Sequence, residues 1–328
     1  MAAARVKLSL YSVQRFISGI VRREIGSAGS RLVRWRSCIN KHSQLLPQSS
    51  RARRLRFGTF ITTSLIASRG IGFWSSSQPD TKDSTMADDK DPKSLSDAEI
   101  VEEADRLYNE HQPLELHAFL IQYKDSRNEE VLWRLCRAIR DVAQMNITKA
   151  ERKKELTYEA FEYAKRCLEI NDKNFASHKW YAICISEVGD YEETKKKVAN
   201  AYIIRDHFQK AIDINPKDAT CYHLMGLWCF TFADMAWYQR KIAAVVFGSP
   251  PTSTYQEALD NFKKAEEISP GFYSKNLLML GTTYLKMGNK EDAITFLTKA
   301  KEYDVKKDED KEVVKKASGH LKGLGVTV

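Results

Sequence analysis

The chain has 328 residues, of which 43% are apolar and 10% aromatic, enough to bury a substantial hydrophobic core. Its formal net charge of +9 is unevenly distributed. Residues 1–77 contain fourteen Lys and Arg against the single acid Glu24, whereas residues 78–328 contain 38 basic and 42 acidic residues. The body is therefore mildly acidic, which argues against nucleic acid as its partner, because nucleic-acid-binding domains carry their positive charge on the folded part.

Residues 1–77 form a basic leader that is predicted to be disordered and to target the protein to mitochondria. They are rich in Arg and Ser, and apolar residues recur near helical spacing from Val6 to Val21. An amphipathic, Arg-rich and nearly acid-free N-terminus is typical of a mitochondrial transit peptide. A basic tail that binds RNA or acidic surfaces is the alternative. The apolar stretch at 57–74 is short for a transmembrane helix and leaves a marginal membrane anchor as a further alternative.

Residues 78–94 contain almost no apolar side chain and predict a flexible linker, so the folded domain is expected to span residues 95–328. Within that domain every predicted element is a helix. The capping-box patterns Ser96-x-x-Glu99 and Thr148-x-x-Glu151 predict two helix N-termini. No stretch alternates with the period of a half-buried strand. The fold class is therefore all-α.

A repeated pattern identifies the type of helical fold. Its clearest copy has a large residue, Leu280-Gly281, an aromatic residue, the turn Gly288-Asn289, and then Ala293, Leu297 and Ala300 at helical spacing. This is close to the tetratricopeptide (TPR) pattern, in which small residues let two antiparallel helices approach closely. The second-helix part recurs upstream, starting at Ala160, Ile204 and Ala258. The spacing is uneven, so we predict a TPR-like helical-hairpin solenoid with irregular insertions, the largest at 230–254 forming an extra helix and a loop.

Several specific runs carry a family resemblance, among them Phe175-Ala-Ser-His-Lys-Trp-Tyr-Ala-Ile183, Ala199-Asn-Ala-Tyr-Ile-Ile204 and Trp237-Tyr-Gln-Arg240. Over residues 95–305 the sequence resembles the regulator of microtubule dynamics family. The resemblance implies a TPR-like protein associated with microtubules, spindle poles and mitochondria. It supplies no catalytic motif and no site residue that can be transferred to this chain.

Motifs for catalysis are absent from the sequence, which has no nucleotide-binding loop, nucleophile elbow or zinc-protease motif. No cofactor and no metal are therefore expected. Cys221, His223 and Cys229 cluster in one helix, but residues two apart on a helix point about 200° apart, so Cys221 and His223 are predicted to pack rather than to bind a metal. The six cysteines include no Cys-x-x-Cys pair and are predicted to be small buried side chains in a reducing compartment.

Two sets of residues are candidates for binding a protein partner. The first set lies at first-helix positions that in TPR-like proteins can face the groove, with the two histidines near the exposed side: His178, Tyr181, His223, Lys275 and Lys286. The second set could form a basic patch for the acidic surface of tubulin: Lys195, Lys196, Lys197, Arg240 and Lys241. Ordinary solvated or packed side chains are the alternative for each of them.

These observations predict a non-enzymatic helical-repeat adaptor, targeted to mitochondria and related to microtubule-associated proteins. The alternative is a mitochondrial scaffold that holds a peptide or helix of a mitochondrial partner without touching microtubules. The corresponding alternative location is the cytoplasm, the cytoskeleton and the spindle pole. Tubulin remains a possible partner, although a mildly acidic body has no overall attraction to an acidic surface and would need a local basic patch.

Overall fold

The computed structural model describes residues 95–247, 249–306 and 308–326. All regular elements in these ranges are helical. In chain order the helices are α1 (Asp97–Asn109), α2 (Pro113–Leu120, followed by the 3₁₀ turn Ile121–Tyr123), α3 (Glu129–Ala143), α4 (Ala150–Ile170), α5 (Phe175–Val188), α6 (Thr194–Ile214), α7 (Ala219–Ala233), α8 (Trp237–Phe247), α9 (Tyr255–Ile268), α10 (Ser274–Lys286), α11 (Lys290–Lys301) and α12 (Asp308–Gly323).

The helices pair as the repeat pattern predicts. The hairpins are α3 with α4, α5 with α6, α7 with α9, and α10 with α11. The pair α1 and α2 precedes them, and α12 packs on the last hairpin. The predicted insertion at 230–254 contains α8, which separates the two helices of the third hairpin. The prediction of an all-α, TPR-like solenoid with irregular insertions is confirmed.

Glycines in two first helices allow the hairpins to close. A Cβ on Gly281 would lie 2.6 Å from Leu297 Cγ and 3.0 Å from the Leu297 backbone nitrogen, so α10 and α11 are nearly in backbone contact there. A Cβ on Gly226 would lie 2.6 Å from the Phe262 ring, which joins α7 to α9. The close approach predicted for Gly281 is therefore confirmed, and overpacking of such a contact is destabilising.

The ends of the helices are set by local chemistry. The capping box at Ser96 is confirmed, because its side chain accepts from the Glu99 N–H and the Glu99 carboxylate accepts from the Ser96 N–H. The box predicted at Thr148 is wrong. Lys149 occupies the N-cap of α4, and the Thr148 hydroxyl instead donates to the Val142 carbonyl at 2.7 Å, closing the preceding turn.

A single hydrophobic core runs through the hairpins, and its largest fully buried side chains include Trp180, Phe208 and Phe262. Five cysteines are buried free thiols, as predicted. The sixth, Cys38, lies outside the described residues, as do the predicted leader, the linker and the apolar stretch at 57–74. Among the helices described, none combines the length and the apolarity needed to cross a bilayer.

Candidate binding groove

Two adjoining cavities lie between the N-terminal helices and the last helix of the solenoid. Their volumes are about 670 and 630 Å³. They share Pro113 at the start of α2, Asp141 near the end of α3, and Lys306 before α12. We refer to the two together as the groove, to the larger cavity as its aromatic half, and to the smaller as its aliphatic half. Each volume falls in the range of ligand-binding clefts in proteins.

The aromatic half is assembled from segments that are far apart in the chain. The end of α1 contributes Tyr108, the loop between α9 and α10 contributes Phe272 and Tyr273, and the segment after α11 contributes Tyr303. The loop between α6 and α7 and the first turn of α7 add residues 217–220. Aromatic side chains give large contact area at little cost in side-chain entropy, which suits a surface that binds peptides.

The carboxylates of the aromatic half are all engaged within the protein. Asp218 caps α7 through the Cys221 N–H and pairs with Lys179, with Nζ 2.7 Å from Oδ2. Although burial acts to raise it, the pKa of Asp218 is held below its ordinary value by these two partners. Asp310 accepts from the Ser274 hydroxyl at 2.6 Å and from the Lys306 backbone N–H at 3.1 Å. Asp141 lies 3.6 Å from the Arg140 guanidinium.

The two lysines of the aromatic half, unlike its carboxylates, are exposed. Lys217 is exposed and has no ion-pair partner among the residues that the structure describes. Within the described ranges, the only ion-pair partner of Lys306 is Asp304, at 3.6 Å, and both side chains are largely exposed, at 62% and 81%. A pair of that length and exposure contributes little. The charge that the aromatic half can offer to a ligand is therefore positive.

The aliphatic half has apolar side chains at an open surface. Ile147 is 74% exposed and Val305 43% exposed, and Met145 lines the same cavity. Two of its carboxylates are paired: Glu309 with Lys275, which lies outside the lining, at 3.0 Å, and Asp308 with Lys311 at 3.0 Å. The aliphatic half therefore offers apolar contact area rather than charge.

Behind the groove, a buried ion pair joins the first helices of neighbouring hairpins. Arg140 in α3 donates from Nε to Glu187 Oε1 in α5 at 2.8 Å, and the two side chains are only 1% and 5% exposed. Burial acts to lower the pKa of Arg140, but the facing carboxylates of Glu187 and Asp141 raise it above its ordinary value and keep the guanidinium charged. This pair fixes α3 against α5 and so positions Asp141 at the edge of the groove.

The structure corrects the placement of the two histidines among the candidate groove residues. His178 is 4% exposed and His223 is fully buried, so the prediction that they lie near the exposed side is wrong. Each histidine is instead covered by a neighbouring helix. His178 Nδ1 lies 2.8 Å from His207 Nδ1 in α6, and His223 Nδ1 lies 2.9 Å from the Asn276 side-chain oxygen in α10.

The other candidate groove residues also lie outside the groove lining. The Tyr181 ring packs 4.4 Å from the His207 ring, centroid to centroid, and is half-buried. Lys275 pairs with Glu309, a lining residue of the aliphatic half, at 3.0 Å. Lys286 pairs with Asp234 at 2.6 Å. Their role in binding remains a prediction.

The candidate basic patch is only partly available to a partner. Lys197 is 6% exposed and pairs with Asp190 at 2.6 Å, so its predicted availability is wrong. Lys196 is exposed but paired with Glu192 at 2.9 Å. The half-buried Arg240 donates to the Met235 carbonyl, whereas Lys241 is exposed beside Trp237. The side chain of Lys195 lies outside the described residues.

The buried His223 predicts a pH dependence of stability. The Asn276 amide nitrogen donates to the Phe262 carbonyl, so its oxygen faces His223 and accepts from Nδ1–H. Burial lowers the pKa of His223 to about 3. The unfolded chain takes up this proton near pH 6.5 and the folded chain does not, so stability falls with pH below about 6.5. From pH 7 to 5 we expect a loss of about 2 kcal/mol from this residue.

Urea unfolding at both pH values measures this effect, and His223→Gln is the comparison, because glutamine can still donate to Asn276. The wild-type chain should lose about 2 kcal/mol more than the variant on going from pH 7 to 5. His207, whose pKa is lowered to about 4 mainly by burial, contributes in the same direction in both proteins and cancels in the difference. Equal losses in the two proteins would contradict the assignment.

Comparison with known proteins places the solenoid in a family. The family model for regulator of microtubule dynamics proteins 1–3 matches residues 100–325. Regulator of microtubule dynamics protein 1 of Mus musculus is 58% identical over 226 residues, which cover 69% of this chain and 74% of that protein. The Bos taurus protein of the same name is also 58% identical over 226 residues, covering 69% and 71%. The chain belongs to the regulator of microtubule dynamics family.

The described lining of the groove lies wholly inside the family match, whereas the basic leader lies outside it. Among solved structures, a thermophilic TPR protein of Thermus thermophilus matches with a TM-score of 0.48 and 14% identity, covering 68% of this chain and 99% of that one. That likeness is too distant to bear on function. In the described part of this family member, no cluster of three or more His, Cys, Asp or Glu could hold a metal ion.

The groove residues had a signal in the sequence that helix periodicity does not capture. Two second helices, α6 and α9, are followed by a proline at the same register position, Pro216 and Pro270. The residues directly after each proline, 217–220 and 271–273, line the aromatic half. Equivalent loop positions in successive repeats fall on the same side of a solenoid, so the repeat register itself predicts that these loops line one surface.

Proposed function

We propose that this protein is a non-enzymatic helical-repeat adaptor that holds an extended segment of a partner protein in the groove and acts in microtubule regulation. The observation that carries the proposal is the groove. Its tyrosines, its two available lysines and its aliphatic half are the kinds of side chain that bind peptides. The names of the relatives support the microtubule role, because both describe regulators of microtubule dynamics.

Co-sedimentation with microtubules at rising salt tests direct binding. Two proteins are compared: the full chain, and residues 86–328, which contain the solenoid with its own hydrophobic core. The leader carries fourteen basic residues and would bring the full chain down with any polyanion at low salt. The shorter protein therefore decides the question. Pelleting of residues 86–328 that resists moderate salt supports the proposal, and no pelleting even at low salt contradicts direct binding.

The leader and the linker are part of the proposal, with residues 1–77 directing the chain to mitochondria and residues 78–94 connecting the leader to the solenoid. The support is the Arg-rich, nearly acid-free sequence of the leader. A fusion of residues 1–77 to a fluorescent reporter is expected to label mitochondria. As a control, the same fusion with its five Arg and Lys before Glu24 changed to Gln should be diffuse. A diffuse signal from the unmodified fusion would contradict the targeting role and favour a cytoplasmic, cytoskeletal location.

The second candidate is a mitochondrial scaffold whose groove holds a segment of a mitochondrial partner. The same targeting sequence favours it, because a chain imported into the mitochondrial matrix does not meet tubulin. Mitochondrial labelling by the reporter, combined with no microtubule pelleting of residues 86–328, would select this candidate over the first.

A further inference from the structure

We propose that the groove is selective for an extended acidic peptide, with carboxylates that contact Lys217 and Lys306 in the aromatic half and an apolar side chain that packs in the aliphatic half. This rests on the proposed function, in which the groove holds a segment of a partner protein. It adds the chemical character of that segment and names the groove residues that select it.

The first argument is the balance of available charge in the aromatic half. A count of charged lining residues would suggest a weakly acidic surface, with three aspartates against two lysines. The aspartates, however, already accept hydrogen bonds or face cations within the protein, through Lys179, Arg140 and Ser274. A cationic ligand would have to compete with those partners. A carboxylate that approaches the two lysines displaces only water and the loose contact of Lys306 with Asp304.

The second argument is that the neighbouring surface suits a peptide better than a small anion. Tyr108 and Tyr303 line the same cavity as the two lysines and can contact a backbone and its side chains. The aliphatic half continues from it through Pro113 and presents the exposed Ile147 and Val305. Free phosphate would use the lysines alone and leave the aliphatic half empty. A chain with alternating side chains can use both halves at once.

The third argument is that two lysines of the predicted basic patch already have carboxylate partners within the protein. Lys197 is committed to Asp190, and Lys196 to Glu192. The mildly acidic body needs a local site to attract an acidic partner, and Lys217 and Lys306 supply one because both line the same cavity. The contact of this family member with an acidic partner is thus assigned to the groove.

The test uses the full chain and two synthetic peptides of the same length, each with one leucine. One is otherwise rich in Glu, and the other has Gln in place of every Glu. Carbodiimide crosslinking joins a carboxylate to an amine in direct contact, and mass spectrometry of the digest identifies the lysine. We expect crosslinks at Lys217 and Lys306. Crosslinks confined to the leader lysines Lys7 and Lys41, or to the helix-surface lysines, would overturn the proposal.

Fluorescence anisotropy measures the affinity of the same peptides for residues 86–328 and their variants, because the basic leader of the full chain would itself bind the Glu peptide. The double variant Lys217→Glu/Lys306→Glu should bind the Glu peptide about tenfold more weakly than the wild-type chain. The matched control is Lys263→Glu/Lys290→Glu, which makes the same change in net charge at exposed lysines outside the groove, and it should change affinity less than about twofold. All four side chains are exposed, so folding is unaffected.

Three results would overturn the proposal: equal losses in both double variants, equal binding of the Gln peptide, and displacement of the Glu peptide by inorganic phosphate at an equal concentration of charge. If residues 86–328 pellet with microtubules but the peptide test fails, the proposed function stands and only this inference is rejected. Failure in both assays would remove the two together.

Discussion

Replacing Gly281 with valine is expected to lower the free energy of unfolding by about 3 kcal/mol. A Cβ at this position would lie 2.6 Å from Leu297 Cγ and 3.0 Å from the Leu297 backbone nitrogen, so α11 itself would have to move. Overpacking of a core contact typically costs 1–3 kcal/mol, and valine adds two methyl groups to the same space. Urea unfolding followed by circular dichroism at 222 nm measures the loss.

The matched control is Gly319→Val in α12. No heavy atom of another element lies within 4 Å of a Cβ built there, and the residue is exposed. Valine has a higher helix propensity than glycine, so this variant should be as stable as the wild-type chain or slightly more stable. Similar losses in the two variants would mean that the close approach of α10 and α11 does not limit stability, and would contradict the packing described for the hairpin.

Replacing Arg140 with methionine is expected to cost about 3 kcal/mol, because it leaves the Glu187 carboxylate buried without its cation. Burial already raises the pKa of Glu187, and loss of the opposing guanidinium would raise it further. The contribution of a carboxyl whose pKa is raised on folding is fully present below the pKa of the unfolded chain and is lost as pH rises towards the raised pKa. The difference between the variant and the wild-type chain should therefore be smaller at pH 5 than at pH 8.

A second substitution separates the lost ion pair from lost packing. In the double variant Arg140→Met/Glu187→Met no unpaired carboxylate remains at Glu187, and most of the stability should return. Arg106→Met serves as a control, because Arg106 pairs with Glu103 and Glu110 on an exposed face of α1. It should leave the unfolding midpoint unchanged within error. A double variant no more stable than Arg140→Met would show that the aliphatic part of Arg140, and not its charge, is what the core requires.

The hairpins could be predicted from the sequence because the signals that define them are local. Gly281 and Ala293 lie twelve positions apart in one helix pair, and the turn at Gly288-Asn289 between them has the positive φ and the N-cap that the sequence suggests. The capping box predicted at Thr148 does not form, although its sequence signal is local too. Its hydroxyl had a competing acceptor in the preceding turn, the Val142 carbonyl, and a pattern match does not weigh such a competitor.

Helix periodicity could not predict the groove, because its walls meet through contacts between distant parts of the chain. His223 is covered by Asn276, 53 positions later, and nothing near His223 in the sequence reveals that cover. The rotation between successive hairpins decides which first-helix positions remain open. The α8 insertion makes that rotation harder to infer from an ideal repeat. The lining residues instead lie in loops, whose positions follow from the register of the repeats.

The residues that line the groove come from the first helix of the solenoid through to its last. Tyr108 is synthesised early and Tyr303 near the end of the solenoid, so the proposed peptide site is incomplete until almost the whole solenoid has emerged from the ribosome and folded. Nearest-neighbour contacts can keep a shortened solenoid folded. We therefore expect a protease that removes α12 with the segment before it to remove Tyr303 and Lys306 from the proposed peptide site, while the earlier hairpins keep their own contacts. Under the proposed function, loss of peptide binding and loss of the fold would be separable events.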